Sequence, residues 1–432
     1  MLTITTSKGD GRLKNKIFQS RDLCLRALDT NSLCAKSVRR NEENMSTFDF
    51  SNAISKRVKA APEGEREHLL KLSEGMTDII SLGRGDPDLD TPEVVVEAAV
   101  KALRSGKTHY THWQGLLHLR ELICKKLKED NGLSYSPEEI IVTNGVQEAV
   151  MATMLALLND GDEVIMGDPF YTSYANCVNV AGGKLVLVPT TAEDEYILKA
   201  DAIRERITDK TKMIVVVSPN NPTGTLTPDD ELKKIAELAI EKNLIVISDE
   251  IYEKVVFEDY KHVSIAGFPG MRERTVVFNG FSKAYSMTGW RVGYMAAPAA
   301  LTGKMQNLVH DMGICVAEFS QYGAIAALEA GDSIIKKTGE IYDERRHALM
   351  EAFDKCGIRY NYPKAGLYMW VSVRETGLTS YEFAEKLLLE GHVQLFPGTI
   401  YGDGEGYVRV SLLAPTEDLK EAARRIEKVF SK

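Results

Sequence analysis

The sequence predicts an α/β protein: a mostly parallel central sheet flanked by helices, with a smaller α+β domain beside it. Two observations predict this. Apolar runs rich in β-branched residues recur between residues 140 and 297 without the alternation of a sheet wetted on one face, and helical patterns such as 228–242 separate several of them. Beyond residue 300 the texture changes to a long charged helical pattern followed by short mixed elements.

In chain order the strand-like runs lie at 140–143, 163–166, 184–188, 213–217, 244–247, 275–278 and 292–297. In a parallel sheet the strand tips, rather than the middles, display chemistry. The later part reads as a helix at 334–353, a strand at 367–373, a helix around 381–390 and short strands at 393–396 and 407–412. Segment 55–80 is expected to pack against that part. The resulting division is a leader at 1–50, the N-terminal part of the small domain at 51–95, a large domain at 96–325 and the C-terminal part of the small domain at 326–432. No repeat or low-complexity linker interrupts it.

Composition narrows the function. The 53 Lys and Arg against 62 Asp and Glu leave a net charge of -9, which argues against a nucleic-acid binder working through a broad basic face. No stretch approaches the roughly 20 apolar residues that cross a bilayer. The 6 cysteines form no CxxC pair, which fits a reducing compartment such as the cytoplasm. There is no HExxH, and His109 and His112 have no cysteine nearby, so no metal is expected. The first forty residues are basic, hydroxyl-rich and poor in acids, the composition of an organellar transit segment, for a plastid or mitochondrion; Asp10, Asp22, Asp29 and Gly9 to Gly11 fit a plain flexible terminus instead.

Four segments at strand ends carry candidate chemistry. Asn279-Gly280-Phe281-Ser282-Lys283 follows the 275–278 run, which places Lys283 in a tip loop among small residues and hydroxyls, with Arg291 eight residues on. A lysine so placed suits a Schiff base beside an anion clamp, against the plainer reading of a solvated surface lysine. Ser248-Asp249-Glu250-Ile251-Tyr252 follows the 244–247 run. Asp249 reads as the N-cap of the next element or, beside such a lysine, as the carboxylate that keeps a pyridine ring protonated. Ser218-Pro219-Asn220-Asn221-Pro222-Thr223-Gly224 is a turn signature in which the following proline restricts Asn221. Thr143-Asn144-Gly145-Val146-Gln147 joins a strand to a helix, a phosphate-binding device without the GxGxxG of a dinucleotide fold.

Taken together, SPNNPTG, SDEIYE and SKAYSMTGWRVGY, with Leu82 to Asp88 and Tyr407 to Ser411 at the two ends, resemble the class I and II aminotransferases of the pyridoxal-phosphate fold type I, nearest the bacterial-type aspartate, prephenate and aromatic group. The resemblance covers roughly residues 55–430 and makes 96–325 the cofactor-binding domain. It implies pyridoxal 5'-phosphate carried by Lys283, with Asp249 on the pyridine nitrogen and Asn221 and Tyr252 on the ring oxygen. It implies Arg291, Ser282 and the helix start at Gly145, Val146 and Gln147 around the phosphate, and Tyr171 stacked on the ring. Tyr110 would reach the phosphate of a neighbouring subunit, so a homodimer with shared sites is implied. Arg409 would take the substrate α-carboxylate, with Gly85 approaching from the other side. Lys283, Asp249 and Tyr252 would be the catalytic set.

Departures bear on specificity. Gly280 stands where many relatives offer a serine to the phosphate; Ser282 would substitute in part. Ala61 or Pro62 lies near the position of a lysine in dicarboxylate-specific relatives. Trp113, after Tyr110, would line the side-chain pocket and favour aromatic or bulky apolar substrates, or would serve only in packing; His112 would bind a distal carboxylate or be structural. The expected activity is ping-pong transamination between an L-amino acid, aromatic or broadly apolar, and a 2-oxo acid. The alternatives are an aspartate or prephenate aminotransferase, a lyase of the aminocyclopropane-carboxylate synthase type or a decarboxylase, and a cofactor-binding regulator or scaffold. Intact Lys283, Asp249 and Arg409 argue against the last of these.

Overall fold

The apolar runs become strands, and the strands define the architecture of this computed structural model, which describes residues 50–59 and 64–430. In order they are β1 (Ile80–Ser81), β2 (Ile140–Thr143), β3 (Glu163–Asp168), β4 (Lys184–Pro189), β5 (Thr211–Val217), β6 (Ile245–Asp249), β7 (Thr275–Gly280), β8 (Gly293–Ala296), β9 (Tyr368–Ser372), β10 (Val393–Gln394), β11 (Phe396–Pro397) and β12 (Tyr407–Ser411). The chain divides into two units, 1–59 and 60–432. Of the first, a short turn of 3-10 helix, Phe50–Asn52, and a single helical turn, Lys56–Lys59, are described. Residues 1–49 of the expected leader, and Ala61 and Pro62, lie outside the described residues.

The large sheet has the order β2-β8-β7-β6-β5-β3-β4. β3, β4, β5, β6 and β7 pair in parallel, and β8 runs antiparallel to both β2 and β7. Both faces are covered, which is why the runs do not alternate with polar residues. Met213 and Val215 pack on one side with Ala149, Met154 and Tyr174 from the helices Val146–Leu157 and Ser173–Val180. Ile214 and Val216 pack on the other with Leu232, Ile235 and Ala239 of the helix Asp229–Glu241. Each such buried side chain contributes roughly 1.5 to 3 kcal/mol, so the sheet middle is spent on stability and chemistry is left to the edge.

The second part is built on β11-β12-β9, an antiparallel sheet, and the parallel pair β1-β10. Leu69, Leu82, Tyr342, Leu387 and Ile426 form part of one core with it, so the helix Glu65–Ser73 packs here. The single run read at 393–396 divides at Leu395: Val393–Gln394 pairs with β1 and Phe396–Pro397 with β12. Pro397 has no amide to donate, which suits an edge strand of two residues. The loop from Gly83 to Thr91 is pinned from two sides. Arg345 of the helix Ser333–Cys356 grips Asp88 with two bonds of 2.6 and 2.8 Å, and Trp290 Nε1 donates to Thr91 Oγ1 at 2.9 Å.

Behind the turn that follows β6 lies a buried charge cluster. Glu250 Oε1 accepts from Ser248 and Ser264 hydroxyls at 2.7 and 2.5 Å, and Oε2 sits 3.1 Å from His262 Nε2. Glu253 is held by Lys126 and, at 2.7 Å, by Asn131. Glu250, Glu253 and His262 have the geometry of a cation site, yet Lys126 and the imidazole already balance the two carboxylates. Burial opposes charge on His262, but Glu250 and then Glu253 outweigh it and raise the imidazole above its ordinary value. A raised histidine contributes stability below about pH 6.5, lost as pH rises through its folded value. We therefore expect His262→Gln to cost about 3 to 5 kcal/mol near pH 6 and progressively less at alkaline pH, read from denaturant unfolding across that range. A cost independent of pH would mean that the pair carries no charge.

Candidate active site

A cavity of about 650 Å³ opens at the edge where β5, β6 and β7 end. Because β8 runs the other way, its entrance lies at that same edge: Gly293 pairs with Thr143 at the end of β2 and with Gly280 at the end of β7. The cavity wall brings together Val146, Gln147, Tyr171, Asn221, Asp249, Tyr252, Ser282, Lys283 and Arg291 with Gly85 and Arg409 from the second part.

At the floor, Asp249 is 6% exposed. Its Oδ2 accepts from Tyr174 OH at 2.7 Å and its Oδ1 from the Ile251 amide at 3.3 Å. Desolvation outweighs both bonds and pushes the carboxyl up to about 6. Burial also drives the Tyr252 phenol well above its usual value; its ring meets Tyr368 edge-on, 6.0 Å between centroids. Arg409 is buried, with Nη1 donating to Asn221 Oδ1 at 3.0 Å and Nη2 to the Gly83 carbonyl at 2.8 Å. Its Nε has no partner among the described residues, so one donor edge remains uncommitted. Tyr368 and Tyr401 sandwich the guanidinium, 4.1 and 4.6 Å from its carbon.

The opposite end brings a helix start and an arginine together. Gly145, at φ 78°, turns the chain into the helix Val146–Leu157, whose first residues Val146 and Gln147 line the cavity. Arg291 donates to the Thr288 and Asn144 carbonyls at 3.0 and 3.1 Å, against Gly145, where a Cβ would strike the guanidinium. A Cβ on Gly293 would come within 2.6 Å of the Val146 amide nitrogen, so only glycine lets β8 approach this helix start. Lys283, half-buried, donates to the Gly85 carbonyl. Tyr171 lies at the rim, 38% exposed.

Three positions singled out in the sequence are placed elsewhere. Tyr110 is 79% exposed, away from the cavity of its own chain. Trp113 is not part of that cavity's wall; it packs, partly buried, on the core that holds Phe170 and Tyr174. His112 accepts the Gln114 amide at 3.2 Å within its own turn, outside the cavity wall, and burial with Arg120 lowers its pKa. Conversely, Tyr174, Tyr368, Tyr401, Phe396 and Arg66 shape the cavity although no local motif marks them.

The family Aminotransferase class I and II matches residues 77–426. The chain is a class I and II aminotransferase. The aminotransferase is 42% identical over 382 residues, 88% of this chain and 98% of the relative, to an aspartate aminotransferase of Pyrococcus abyssi. It is 39% identical, with the same coverage, to aromatic-amino-acid aminotransferase 2 of Thermococcus litoralis. A solved aromatic aminotransferase of Pyrococcus horikoshii superposes with a TM-score of 0.80 at 42% identity, covering 84% of this chain and 98% of that one. The aminotransferase thus uses pyridoxal phosphate for transamination between amino acids and 2-oxo acids.

The residues of this aminotransferase fit that cofactor. A dianionic phosphate matches the helix start beside Arg291, an aldehyde matches the half-buried amine of Lys283, and a protonated pyridine matches Asp249. The raised acidity of Asp249 has a direct consequence for the cofactor-free protein. Between about pH 4 and 6 the folded state holds a proton that the unfolded state has lost, so stability falls as pH rises through that window. Asp249→Asn keeps an acceptor for Tyr174 and removes the charge. We expect the cofactor-free variant to gain stability over the parent as pH rises to 6, reaching about 3 kcal/mol above it. Thermal unfolding of both proteins after cofactor removal checks this; a variant less stable than the parent at pH 7 contradicts the burial argument.

Proposed function

We propose that the aminotransferase processes aromatic and bulky apolar L-amino acids, with Arg409 taking the α-carboxylate and Lys283 moving the Cα proton. The observation that carries the substrate class is the surface beside Arg409: Leu70, Phe396, Ile400, Tyr368 and Tyr401 present aliphatic and aromatic area where a side chain would lie. Bound pyridoxal phosphate supplies an electron sink that acidifies the substrate Cα. Asp249 would hold a proton on the pyridine nitrogen, the charge its burial otherwise lacks. Asn221 and Tyr252 would donate toward the ring oxygen, and Tyr171 would cover the ring face. Arg291, Ser282, Gly145, Val146 and Gln147 would hold the phosphate. Arg409, already fixed by Asn221 and Gly83, would orient the substrate through paired hydrogen bonds so that its Cα–H faces Lys283 Nζ. Gly85, whose carbonyl receives that amine, would mark the near wall.

The same reading makes the enzyme a homodimer with Tyr110 reaching a partner's phosphate site. Tyr110, Leu103, Leu117 and Ile314 support it as large exposed apolar side chains that an assembly would cover. Trp113 would act at that seam rather than in its own chain's pocket. The free thiols of Cys124, Cys177, Cys315 and Cys356 support a reducing compartment, read here as the cytoplasm.

Borohydride reduction followed by peptide mapping should place the cofactor on Lys283, and Lys283→Ala should lose at least about 10² to 10⁴ in activity while retaining the cofactor noncovalently. A label on another lysine would overturn the assignment. For substrate class, kcat/KM for phenylalanine or methionine should equal or exceed that for aspartate with one saturating 2-oxo acid. A preference for aspartate beyond about a hundredfold would transfer the proposal to the dicarboxylate class. Mixing Tyr110→Phe and Lys283→Ala subunits should regenerate activity through dimers with one intact site; inactive mixtures after proven exchange argue against sharing.

A further inference from the structure

The end of β6 is bonded on both sides: the Asp249 carbonyl accepts the Ser218 amide at 3.1 Å, and the Glu250 amide donates to the Phe278 carbonyl at 2.9 Å. Beyond Glu250 the chain leaves the sheet, so the turn that carries Tyr252 must be held by other means. One is internal, the Glu253 amide donating to the Glu250 carbonyl at 2.9 Å. The other comes from behind. Tyr252 lines the cavity, whereas Glu253, the next residue, is not part of its wall. The C-terminal end of the helix Leu117–Asn131 grips Glu253 there: Lys126 Nζ pairs with its Oε1, and Asn131 Nδ2 donates to its Oε2 at 2.7 Å. Lys126 also donates to Asn131 Oδ1 at 2.8 Å, and Asp130 of the same helix end takes Lys254 at 2.8 Å.

The Lys126 and Glu253 side chains are only 12 and 5% exposed, so both charges have left most of their water. A well-packed apolar pair of similar volume is often no less stable than such an ion pair, which makes stability a weak reason for the clasp. What charged, multiply bonded groups add is a fixed geometry. The residue next to Glu253 is Tyr252, whose phenol, at the far end of its ring, magnifies any tilt of the turn. We propose that Glu253 is a positioning residue for the reaction: held from behind by Lys126 and Asn131, it sets the turn so that the Tyr252 phenol meets the cofactor's ring oxygen. Glu253 itself touches neither substrate nor cofactor and acts only through its neighbour.

This rests on the reading that Tyr252 donates to that oxygen, and the test separates the two. A donor there favours loss of the proton that the ring oxygen shares with the lysine nitrogen joined to the cofactor, because the oxygen then carries its charge alone. Losing the donor therefore raises the pH at which the bound cofactor's absorbance titrates, whereas losing the Glu253 charge, with Lys126 left unpaired, lowers it. The opposite signs tell a displaced Tyr252 from a plain charge effect. In the cofactor-loaded enzyme Tyr252→Phe should raise that pH by about one unit. Glu253→Gln, and Asn131→Ala, which removes one bond and no charge, should each raise it by about half as much. Glu253→Gln added to Tyr252→Phe should raise it no further. Glu163→Gln, which alters a buried carboxylate at the start of β3 on the opposite edge of the sheet, should leave it unchanged. A fall or no change in Glu253→Gln and Asn131→Ala beside a rise in Tyr252→Phe would overturn the proposal, as would shifts that add. No shift in Tyr252→Phe would instead sink the reading of Tyr252. Amide hydrogen exchange of residues 250–255 in the cofactor-free parent and Glu253→Gln then decides the anchor: faster exchange confined to that turn supports it, and unchanged exchange overturns it.

Discussion

Burial of the Asp249 carboxylate at the end of a central strand is the constraint on which the site depends. β6 lies between β5 and β7, and the sheet is covered on both faces, so its last residue sits in a region with little water. A phenol and one amide are too little to hold a full charge there, and the group rises to about 6. Each unit of that rise is about 1.4 kcal/mol standing against the ionised form at neutral pH. A cationic ring laid against the carboxylate offsets this cost and is bound more tightly for it. The fold thus favours a cation laid beside Asp249.

The rest of the architecture arranges groups around the same cavity. The reversed direction of β8 returns Arg291 to the edge where the parallel strands end, and Gly293 lets it approach the helix start at Val146. An anion site and an acid site are therefore held apart by one rigid sheet. Arg409 comes from the other part of the fold, yet its bonds to Asn221 and Gly83 tie it to the same frame. The Gly83 to Thr91 loop, clamped through Asp88 and Thr91, carries the Gly85 carbonyl to Lys283. An amine that moved a proton would need such fixed neighbours, because misplacement by an ångström costs rate steeply.

Much of this was legible in the sequence wherever a single stretch of chain determines the outcome. Seven apolar runs became seven strands because full burial needs unbroken β-branched residues, and the tip residues Asn221, Asp249, Tyr252 and Lys283 converge because parallel strands end together. What was not legible depends on distant pieces of chain. Tyr174 meets Asp249 across 75 positions, and Arg66 meets Phe396 across a far longer span, with no local pattern to announce either. Sequence adjacency left two places open for Trp113, the side-chain pocket or packing, and within its own chain the indole packs, partly buried, against the core that holds Phe170 and Tyr174. The run at 393–396 looked continuous because hydrophobicity alone does not show that Pro397 confines its end to an edge.

If one site, centred on Asp249, Lys283 and Arg409, carries the amino group from one substrate to the next, the cofactor itself must hold that group between the two half-reactions. The most direct measurement is a single-turnover experiment with no acceptor present, in which the cofactor-loaded enzyme is mixed with excess amino acid and the 2-oxo acid released is counted. One equivalent per site and then arrest is expected, with the starting absorbance restored when the excess amino acid is removed and a 2-oxo acid is added. Continuous product formation without an acceptor, or none at all, would contradict it.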